Sequence, residues 1–233
     1  SIKTILQQYQ LNHPINSLTL NNEINKIINL SDEEISAKKK RFKQQEDRQI
    51  KADEHAKTKH IEVILNQSHL PKRLLSKSVN DYIIKQKNKQ AEVALQHFQE
   101  SYFIYGQCGT GKTFLASLIA KLQAQTEQTI LFYTATSLFH QLNPFSNKDL
   151  SEERTRILNC GCLVIDDLGA EKATPFTNSV LFDIINYRYD EEKQIIITSN
   201  FNIIDLQKRW GSYEGSRVGR RITEMCKPIQ LFT

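Results

Sequence analysis

The sequence predicts an α/β fold, in which a parallel five-stranded sheet carries helices on both faces and follows a helical N-terminal region. From about residue 65, short apolar stretches alternate with longer amphipathic ones, as in a parallel sheet with crossover helices. Before that point the chain holds one proline, and all eight glycines lie at Gly106 or later. Because turn signals are scarce there, we expect helices. The predicted division is 1–64 for the N-terminal region and 65–233 for the α/β domain.

Three helices are predicted in the N-terminal region. The first two, over residues 2–9 and 20–28, are short and have apolar residues at helical spacing. The third opens at a capping-box pattern, Ser31 to Glu34, and is long and polar. The apolar faces of the short helices are too small to form a core alone. They either dock on a partner or pack on the chain's own α/β domain.

A run of basic residues, Lys38 to Arg41, lies in the long polar helix. Such a run can contact phosphates, but a solvated helix face is the commoner explanation. The net charge of +5 and the isoelectric point of about 8.9 permit nucleic-acid binding without demonstrating it.

The α/β domain is predicted to contain five strands, each a short run of apolar residues, alternating with helices. The strands are expected at 101–105, 129–134, 162–166, 194–200 and 228–232. The helices are expected at 79–100, 112–125, 176–190, 203–210 and 215–225, with two weaker pieces within 136–158 separated at Asn143-Pro144.

Several protein classes are excluded by composition. No apolar run approaches the roughly 18–20 residues of a membrane span, and the first residues do not form a secretory signal. Four cysteines are too few for a disulfide framework in a chain of 233 residues. We therefore expect a cytoplasmic protein with reduced thiols and no membrane partner.

Residues 106–113 read GQCGTGKT, the pattern of a phosphate-binding loop, between a predicted strand and a predicted helix. Its glycines let successive N–H groups point at an anion, and the helix adds its positive dipole end. Lys112 is placed to reach β- and γ-phosphates, and Thr113 to ligate Mg²⁺. Cys108 is either a tolerated loop residue or a reactive thiol. The expected ligand-binding residues of this segment are Gly106, Gln107, Cys108, Gly109, Thr110, Gly111, Lys112, Thr113 and Phe114.

Three polar residues end two other predicted strands. Asp166 and Asp167 follow the apolar CLVI, and Asn200 ends QIIITSN. In a parallel sheet such strand ends gather beside the ligand. The first acid can hold Mg²⁺, and the second can orient and deprotonate an attacking water. The Asn200 amide can fix that water or contact the γ-phosphate, unless it only forms a turn.

The segment GSRVGRRITEMC carries three arginines, Arg217, Arg220 and Arg221. One of them can complete the nucleotide site of a neighbouring subunit as an arginine finger. Contacts to nucleic-acid phosphates and plain surface charge are alternatives that these residues leave open.

Taken together, the phosphate loop, LVIDDLGAEK, IITSN and SRVGRRI resemble the AAA+ ATPases of the DnaC/DnaI helicase-loader group and the related IstB transposition helpers. The segment 68–95 also resembles the lead-in of that family, and the likeness covers roughly 65–232. The resemblance implies that the phosphate loop is Walker A, that Asp166-Asp167 is Walker B and that Asn200 is sensor 1. Asp167 stands where many AAA+ proteins have Glu.

The resemblance also assigns arginines. Arg221 aligns best with the family's finger that acts in trans, and Arg217 is second. Arg188 matches another frequent family arginine, to which no role is attached.

The function implied by the resemblance is that of a Mg²⁺-dependent ATPase, weak until a partner or DNA stimulates it. It would bind ATP or ADP between self-associated protomers and load or remodel a hexameric replicative DNA helicase on single-stranded DNA. The N-terminal region would dock on the helicase. Two alternatives share every motif: an IstB-like ATPase that assists transposition, and an ATP-state switch with negligible turnover. The sequence stops at Thr233, one predicted strand after the arginines, so no C-terminal helical lid is expected.

Overall fold

A computed structural model describes residues 32–86, 88–144 and 150–232. The chain divides into two compact units, Ser1–Thr58 and Lys59–Thr233. The short helices predicted over 2–9 and 20–28, and Ser31 of the capping box, lie outside the described residues. The functional division proposed at residue 64 stays a prediction.

The long polar helix predicted from the sequence is present as α1 (Asp32–Gln67), with 36 residues. Every side chain from residue 36 to residue 60 is exposed. Lysine, glutamate, glutamine and alanine, which favour helices intrinsically, dominate this stretch. The helical character of the N-terminal region is therefore confirmed for the residues that the structure describes there.

The five predicted strands form one parallel sheet with the order β2-β3-β4-β1-β5. Parallel neighbours need long crossovers, which are supplied here by helices. The strands are β1 (Tyr102–Gly106), β2 (Ile130–Thr134), β3 (Cys162–Leu168), β4 (Gln194–Ser199) and β5 (Lys227–Leu231).

Nine further helices surround the sheet in the described part of the second unit. They are α2 (Lys72–Leu75), α3 (Val79–Gln86), α4 (Lys89–Gln96), α5 (Lys112–Ala124), α6 (Ala135–Gln141), α7 (Leu150–Asn159), α8 (Pro175–Asp190), α9 (Ile203–Trp210) and α10 (Ser212–Met225).

The prediction of one helix over 79–100 is wrong, because two helices, α3 and α4, occupy that stretch. Asn88 interrupts it with an extended backbone (φ −99°, ψ 113°), and its side chain accepts a hydrogen bond from the backbone N–H of Ala91. Asparagine stabilises a helix start more than a helix interior, because its side chain competes for backbone hydrogen bonds. The predicted helix is therefore divided at Asn88, and α4 lies between this break and the first strand.

Hydrophobic cores lie on both faces of the sheet, as predicted. Along β3, Leu163 and Ile165 join the core that includes buried residues of α6 to α10. Cys162 and Val164 join the opposite core with residues of α4 and α5. Because successive side chains of a strand alternate between faces, the apolar run can serve both cores at once.

None of the described helices is long and apolar enough to cross a membrane. The cytoplasmic location expected from the sequence stays a prediction.

Candidate functional site

The phosphate loop joins the end of β1 to the start of α5, as the sequence predicts. A Cβ atom on Gly106 would lie 2.1 Å from the carbonyl oxygen of Leu231, so no larger residue fits against β5 there. Gly111 has left-handed φ (87°) and begins α5 without a capping side chain. The first N–H groups of α5 are thus left to a ligand, and the helix dipole favours an anion.

Lys112 is the single cation of this loop, is buried and has three oxygen partners. Its Nζ donates to the carbonyl oxygens of Gly106 and Gln107, at 2.9 and 2.8 Å, and to Oδ1 of Asn200 at 2.8 Å. Burial lowers the pKa of Lys112, whereas Cys108 and the two aspartates oppose that shift. The structure therefore brings the loop lysine and the predicted sensor residue together across two strand ends.

Asp166 lies beside Thr113, which is the pairing expected for a Mg²⁺ site. Thr113 Oγ1 donates to Asp166 at 2.9 Å from Oδ1, and Thr198 Oγ1 donates to the same oxygen at 2.6 Å. Burial raises the pKa of Asp166, and these two hydrogen bonds oppose the rise. The carboxylate thus has neutral hydroxyl donors that a cation can compete with.

The donor set fits Mg²⁺, which prefers oxygen ligands and is usually held by one or two carboxylates together with substrate phosphates and water. Thr113 and Asp166 supply a hydroxyl and a carboxylate at one place. Within the described ranges, no group of three or more His, Cys, Asp or Glu residues could hold a metal by itself. Any Mg²⁺ here would need phosphate oxygens and water as further ligands.

Asp167 is directed into the site by an irregularity of β3. The pairing with β4 shifts register between Ile165 and Leu168, and Asp167 has left-handed φ (58°). Ile165 and Leu168 belong to the same core although they are three residues apart. The strand therefore contains one extra residue between them, as in a β-bulge, and this irregularity lies at the two aspartates. Asn200 Nδ2 donates to Asp167 Oδ1 at 2.9 Å. Asn200 therefore connects Asp167 to Lys112.

Thr198 is a site residue that the sequence reasoning missed. It is 1% exposed, donates to Asp166 and accepts the backbone N–H of Asp167 at 2.8 Å. One hydroxyl thereby fixes both aspartates. A signal was present in the sequence, because Thr198 lies two residues before Asn200 in the predicted strand 194–200, and such residues share a face of a strand.

For three of the remaining predicted loop residues the structure shows contacts or exposure, and their binding of a ligand stays a prediction. Thr110 Oγ1 donates to the carbonyl of Gln107 at 2.9 Å and is buried, whereas Cys108 is exposed and free. The Phe114 ring packs edge-to-face on Tyr82 of α3, with centroids 5.4 Å apart. Phe114 thus attaches the loop's helix to the lead-in.

The predicted arginines lie on α10, beside aromatic rings of α8. The guanidinium of Arg217 is 4.2 Å from the ring centre of Phe182, and that of Arg221 is 4.0 Å from the ring centre of Tyr189. Arg221 also lies 3.8 Å from Glu224. These contacts are within one chain, and the action of Arg221 on a neighbour stays a prediction.

Arg188 has a structural role, which explains its presence without any contact to the nucleotide. It is fully buried and lies at the end of the sheet opposite the phosphate loop. Its guanidinium connects the end of α7 to the starts of β3 and β4 and favourably meets the negative end of a helix dipole. The carbonyl groups that accept its hydrogen bonds belong to Ile157, Leu158, Cys160, Gly161 and Gln194.

Comparison with known families matches residues 14–216 to the family described as IstB-like ATP binding protein. The chain belongs to this family. The resemblance to AAA+ ATPases of the DnaC/DnaI and IstB groups is thereby confirmed.

Among curated relatives, this IstB-like protein is 26% identical over 139 residues to the replicative helicase loader DnaI of Bacillus subtilis (strain 168). That match covers 55% of the chain and 45% of the relative. It is 31% identical over 101 residues to the chromosomal replication initiator protein DnaA of Geobacter sulfurreducens, covering 42% of the chain and 23% of the relative. The chain therefore matches less than half the length of these relatives.

Solved structures share the fold of this IstB-like protein. A crystal structure of DnaI has a TM-score of 0.61 at 24% identity and covers 71% of this chain and 96% of its own. A crystal structure of the DnaC helicase loader has a TM-score of 0.56 at 24% identity, covering 70% and 100%. Together with the parallel sheet and its two helical faces, these neighbours confirm the predicted AAA+ core.

Proposed function

We propose that this IstB-like protein binds ATP with Mg²⁺ at the carboxyl ends of β1, β3 and β4 and hydrolyses it to ADP and phosphate. The observation that carries the proposal is the convergence of one buried lysine, two carboxylates and an amide at that edge. Lys112 and the loop N–H groups would hold the phosphates. Thr113 and Asp166 would hold Mg²⁺, which when bound neutralises phosphate charge.

Asp167 is proposed as the base that takes a proton from the attacking water. Its Oδ1 accepts a hydrogen bond from the Asn200 amide, which orients the carboxylate. A general base must also lie within hydrogen-bond reach of the water, and Asp167 lies at the edge of the site where water can approach. Asn200 forms hydrogen bonds with both Asp167 and Lys112. It is therefore suited to hold the base at a fixed position relative to the phosphate-binding cation.

A neighbouring protomer is proposed to complete the site with Arg221. An added cation stabilises the charge that spreads over the transferred phosphoryl group. Arg221 lies beside Tyr189 and Glu224 and its side chain is 34% exposed, so part of it can contact a neighbouring protomer. Self-association through the ATP site would then be required for full turnover, which we expect to be weak until DNA or a partner promotes assembly.

The biological role that we propose is the loading or remodelling of a hexameric replicative DNA helicase on single-stranded DNA. Support comes from the match to a curated replicative helicase loader and from the fold shared with DnaI and DnaC. The N-terminal region, residues 1–64, would dock on the helicase, because it lies outside the motifs that all these ATPases share.

A second candidate is assistance to DNA transposition, which is favoured by the IstB-like description of the matching family. It would use the same ATP site, so only the protein partner distinguishes the two candidates.

The partner is tested with the tagged full chain in the presence of ATP. Purified replicative helicase and purified transposase of the same host are offered separately, and Lys112→Ala serves as the matched protein that cannot hold phosphates. We expect helicase to be retained with native protein and ATP, and retention to fall with Lys112→Ala. Retention of the transposase alone would reject the loader proposal and support the second candidate.

A further inference from the structure

The densest run of basic residues in the sequence lies in one short part of α1, residues 38–43, here named the basic segment. It reads KKKRFK and contains five cations in six residues. The whole chain has 31 basic and 26 acidic side chains, a net charge of +5. The basic segment alone therefore accounts for the net charge, since the other basic and acidic residues are equal in number.

The cations of the basic segment are exposed and unpaired within the described part of the chain. All five side chains are exposed, and none of them forms an ion pair with another described residue. Farther along α1, by contrast, the cations Arg48, Lys51 and Lys57 alternate with acidic residues. A surface of unpaired like charges along one helix attracts a polyanion.

An aromatic ring lies among these cations. Phe42 is 71% exposed, the largest exposure among the exposed large hydrophobic residues of the described chain. Lys38, Lys39 and Gln45 are its neighbours at helical spacing and, with the adjacent Arg41, line a shallow depression beside it. An exposed aromatic ring next to cations and an amide can stack on an unpaired base while the cations contact the phosphates.

We propose that the basic segment is a binding site for single-stranded DNA, in which Phe42 stacks on a base and the cations contact phosphates. A duplex hides the faces of its bases, so it would leave the ring unused. An anionic membrane would require a continuous apolar face, whereas Phe42 is the only large apolar residue between Lys38 and Gln49. The choice of DNA rests on the proposed function, and the site itself rests on charge and exposure.

Two matched sets of substitutions in the full chain test the proposal. One replaces Lys38, Lys39, Lys40 and Arg41 with Gln, and the control replaces Arg48, Lys51, Lys57 and Lys59 with Gln. Each set removes three lysines and one arginine from exposed positions of α1. Glutamine has a helix propensity close to that of lysine and arginine, so circular dichroism should show α1 preserved in both.

Binding is measured by fluorescence anisotropy with labelled oligodeoxythymidylate about 20 nucleotides long, longer than one binding site. We expect the first set to lower affinity roughly 10- to 100-fold and to reduce the slope of log affinity against log salt by about 2 to 3. The control set should change affinity less than about threefold. Equal losses in both sets, or none in either, would overturn the proposal.

Phe42→Ala tests the stacking step, with Phe42→Tyr as the conservative control. We expect Phe42→Ala to lower affinity about fivefold or more without changing the salt slope, and Phe42→Tyr to restore it. Unchanged affinity in Phe42→Ala would overturn the single-strand assignment. Tighter binding to a duplex of equal length, or to phosphatidylcholine–phosphatidylserine vesicles, would do the same.

Failure of this site is distinguishable from failure of the proposed function. Binding of a fluorescent ATP analogue is measured with the same proteins, and both quadruple variants should match the native chain. If the native chain neither turns over ATP nor retains helicase while oligonucleotide binding follows the pattern above, the proposed function fails and the DNA site stands. Normal turnover without oligonucleotide binding would reject the DNA site and leave the proposed function standing.

Discussion

The carboxyl edge of the sheet and the exposed helix α1 carry charge in opposite ways. At the sheet edge, Lys112 and Asp166 are buried, and each has hydrogen-bond partners within the site. In α1, side chains from residue 36 to residue 60 are exposed, and the cations of the basic segment have no ion-pair partner among the described residues. Buried side chains have a fixed geometry, which the hydrolysis of one phosphate requires. Exposed side chains can attract a polyanion or stack on a base, but their positions are not fixed.

The largest effect that this comparison predicts is at Lys112. Lys112→Ala removes the only buried lysine of the described chain and should weaken ATP affinity by about 100-fold or more, since a charge-assisted contact to phosphate is lost. Isothermal titration with Mg²⁺ and ATP measures it. Lys172→Ala, at an exposed position of the same unit, should bind ATP like the native chain. Equal ATP affinity of the Lys112→Ala and native proteins would show that the buried lysine does not bind the phosphates of ATP.

The next effect concerns Arg221. Arg221→Ala should lower ATP turnover by about 100-fold, because a cation beside the transferred phosphoryl group is lost, while ATP affinity changes little. Arg217→Ala is the matched change on the same helix and should cost less.

Mixing separates action in trans from a structural role of Arg221. Equal amounts of Arg221→Ala and Lys112→Ala protein should regain part of the turnover, since each protomer keeps the element that the other lacks. Absence of any recovery on mixing, with both proteins able to assemble, would assign Arg221 to its own chain.

Thr198 should give an intermediate effect. Thr198→Val keeps the volume but removes the hydroxyl that binds both aspartates, so turnover should fall about tenfold, as expected for a hydrogen bond to a charged group. The Mg²⁺ concentration for half-maximal turnover should rise, while affinity for ATP without Mg²⁺ should not change. Thr198→Ser keeps the hydroxyl and should retain most of the activity. A fall in thermal stability with an unchanged Mg²⁺ requirement would give Thr198 a structural role only.

The smallest effect is expected from the exposed helix. Replacement of Lys38, Lys39, Lys40 and Arg41 with Gln should leave ATP turnover in the absence of DNA within about twofold of the native value, because these residues are not part of the proposed ATP site and salt screens exposed charges. A steady-state phosphate-release assay at physiological salt measures this. A tenfold change without DNA would show that α1 and the ATP site are coupled.

Much of the geometry of the candidate site could be predicted, because most of its residues belong to short sequence motifs that lie next to strands. GQCGTGKT and Asp166-Asp167 each combine residue type with a position next to a strand, and the sheet then brings them together. Thr198 was missed because its importance arises from a register shift in β3 that apolar patterns do not encode. The break at Asn88 was missed because apolar residues continue at helical spacing on both sides of it. The Asn88 side chain caps the second helix and so ends the first, which the apolar pattern does not show.

The arginines show the same limit. The sequence places Arg217 and Arg221 on one helix but cannot say what they contact, because their aromatic partners on α8 are distant in sequence. For Arg188 the pattern alone gave no role, since its five carbonyl partners become neighbours only in the folded sheet.

Turnover by Asp167→Asn tests the central claim most directly, namely that the sheet edge hydrolyses ATP. The amide keeps the size and the hydrogen-bonding capacity of the side chain but cannot accept the proton of water. With helicase and single-stranded DNA present, we expect measurable turnover by the native chain, and a fall of about 100-fold or more in Asp167→Asn. Its ATP affinity should be native. Unchanged turnover in Asp167→Asn would contradict the account. An intact ATP-dependent function despite lost turnover would also contradict it and would favour an ATP-state switch.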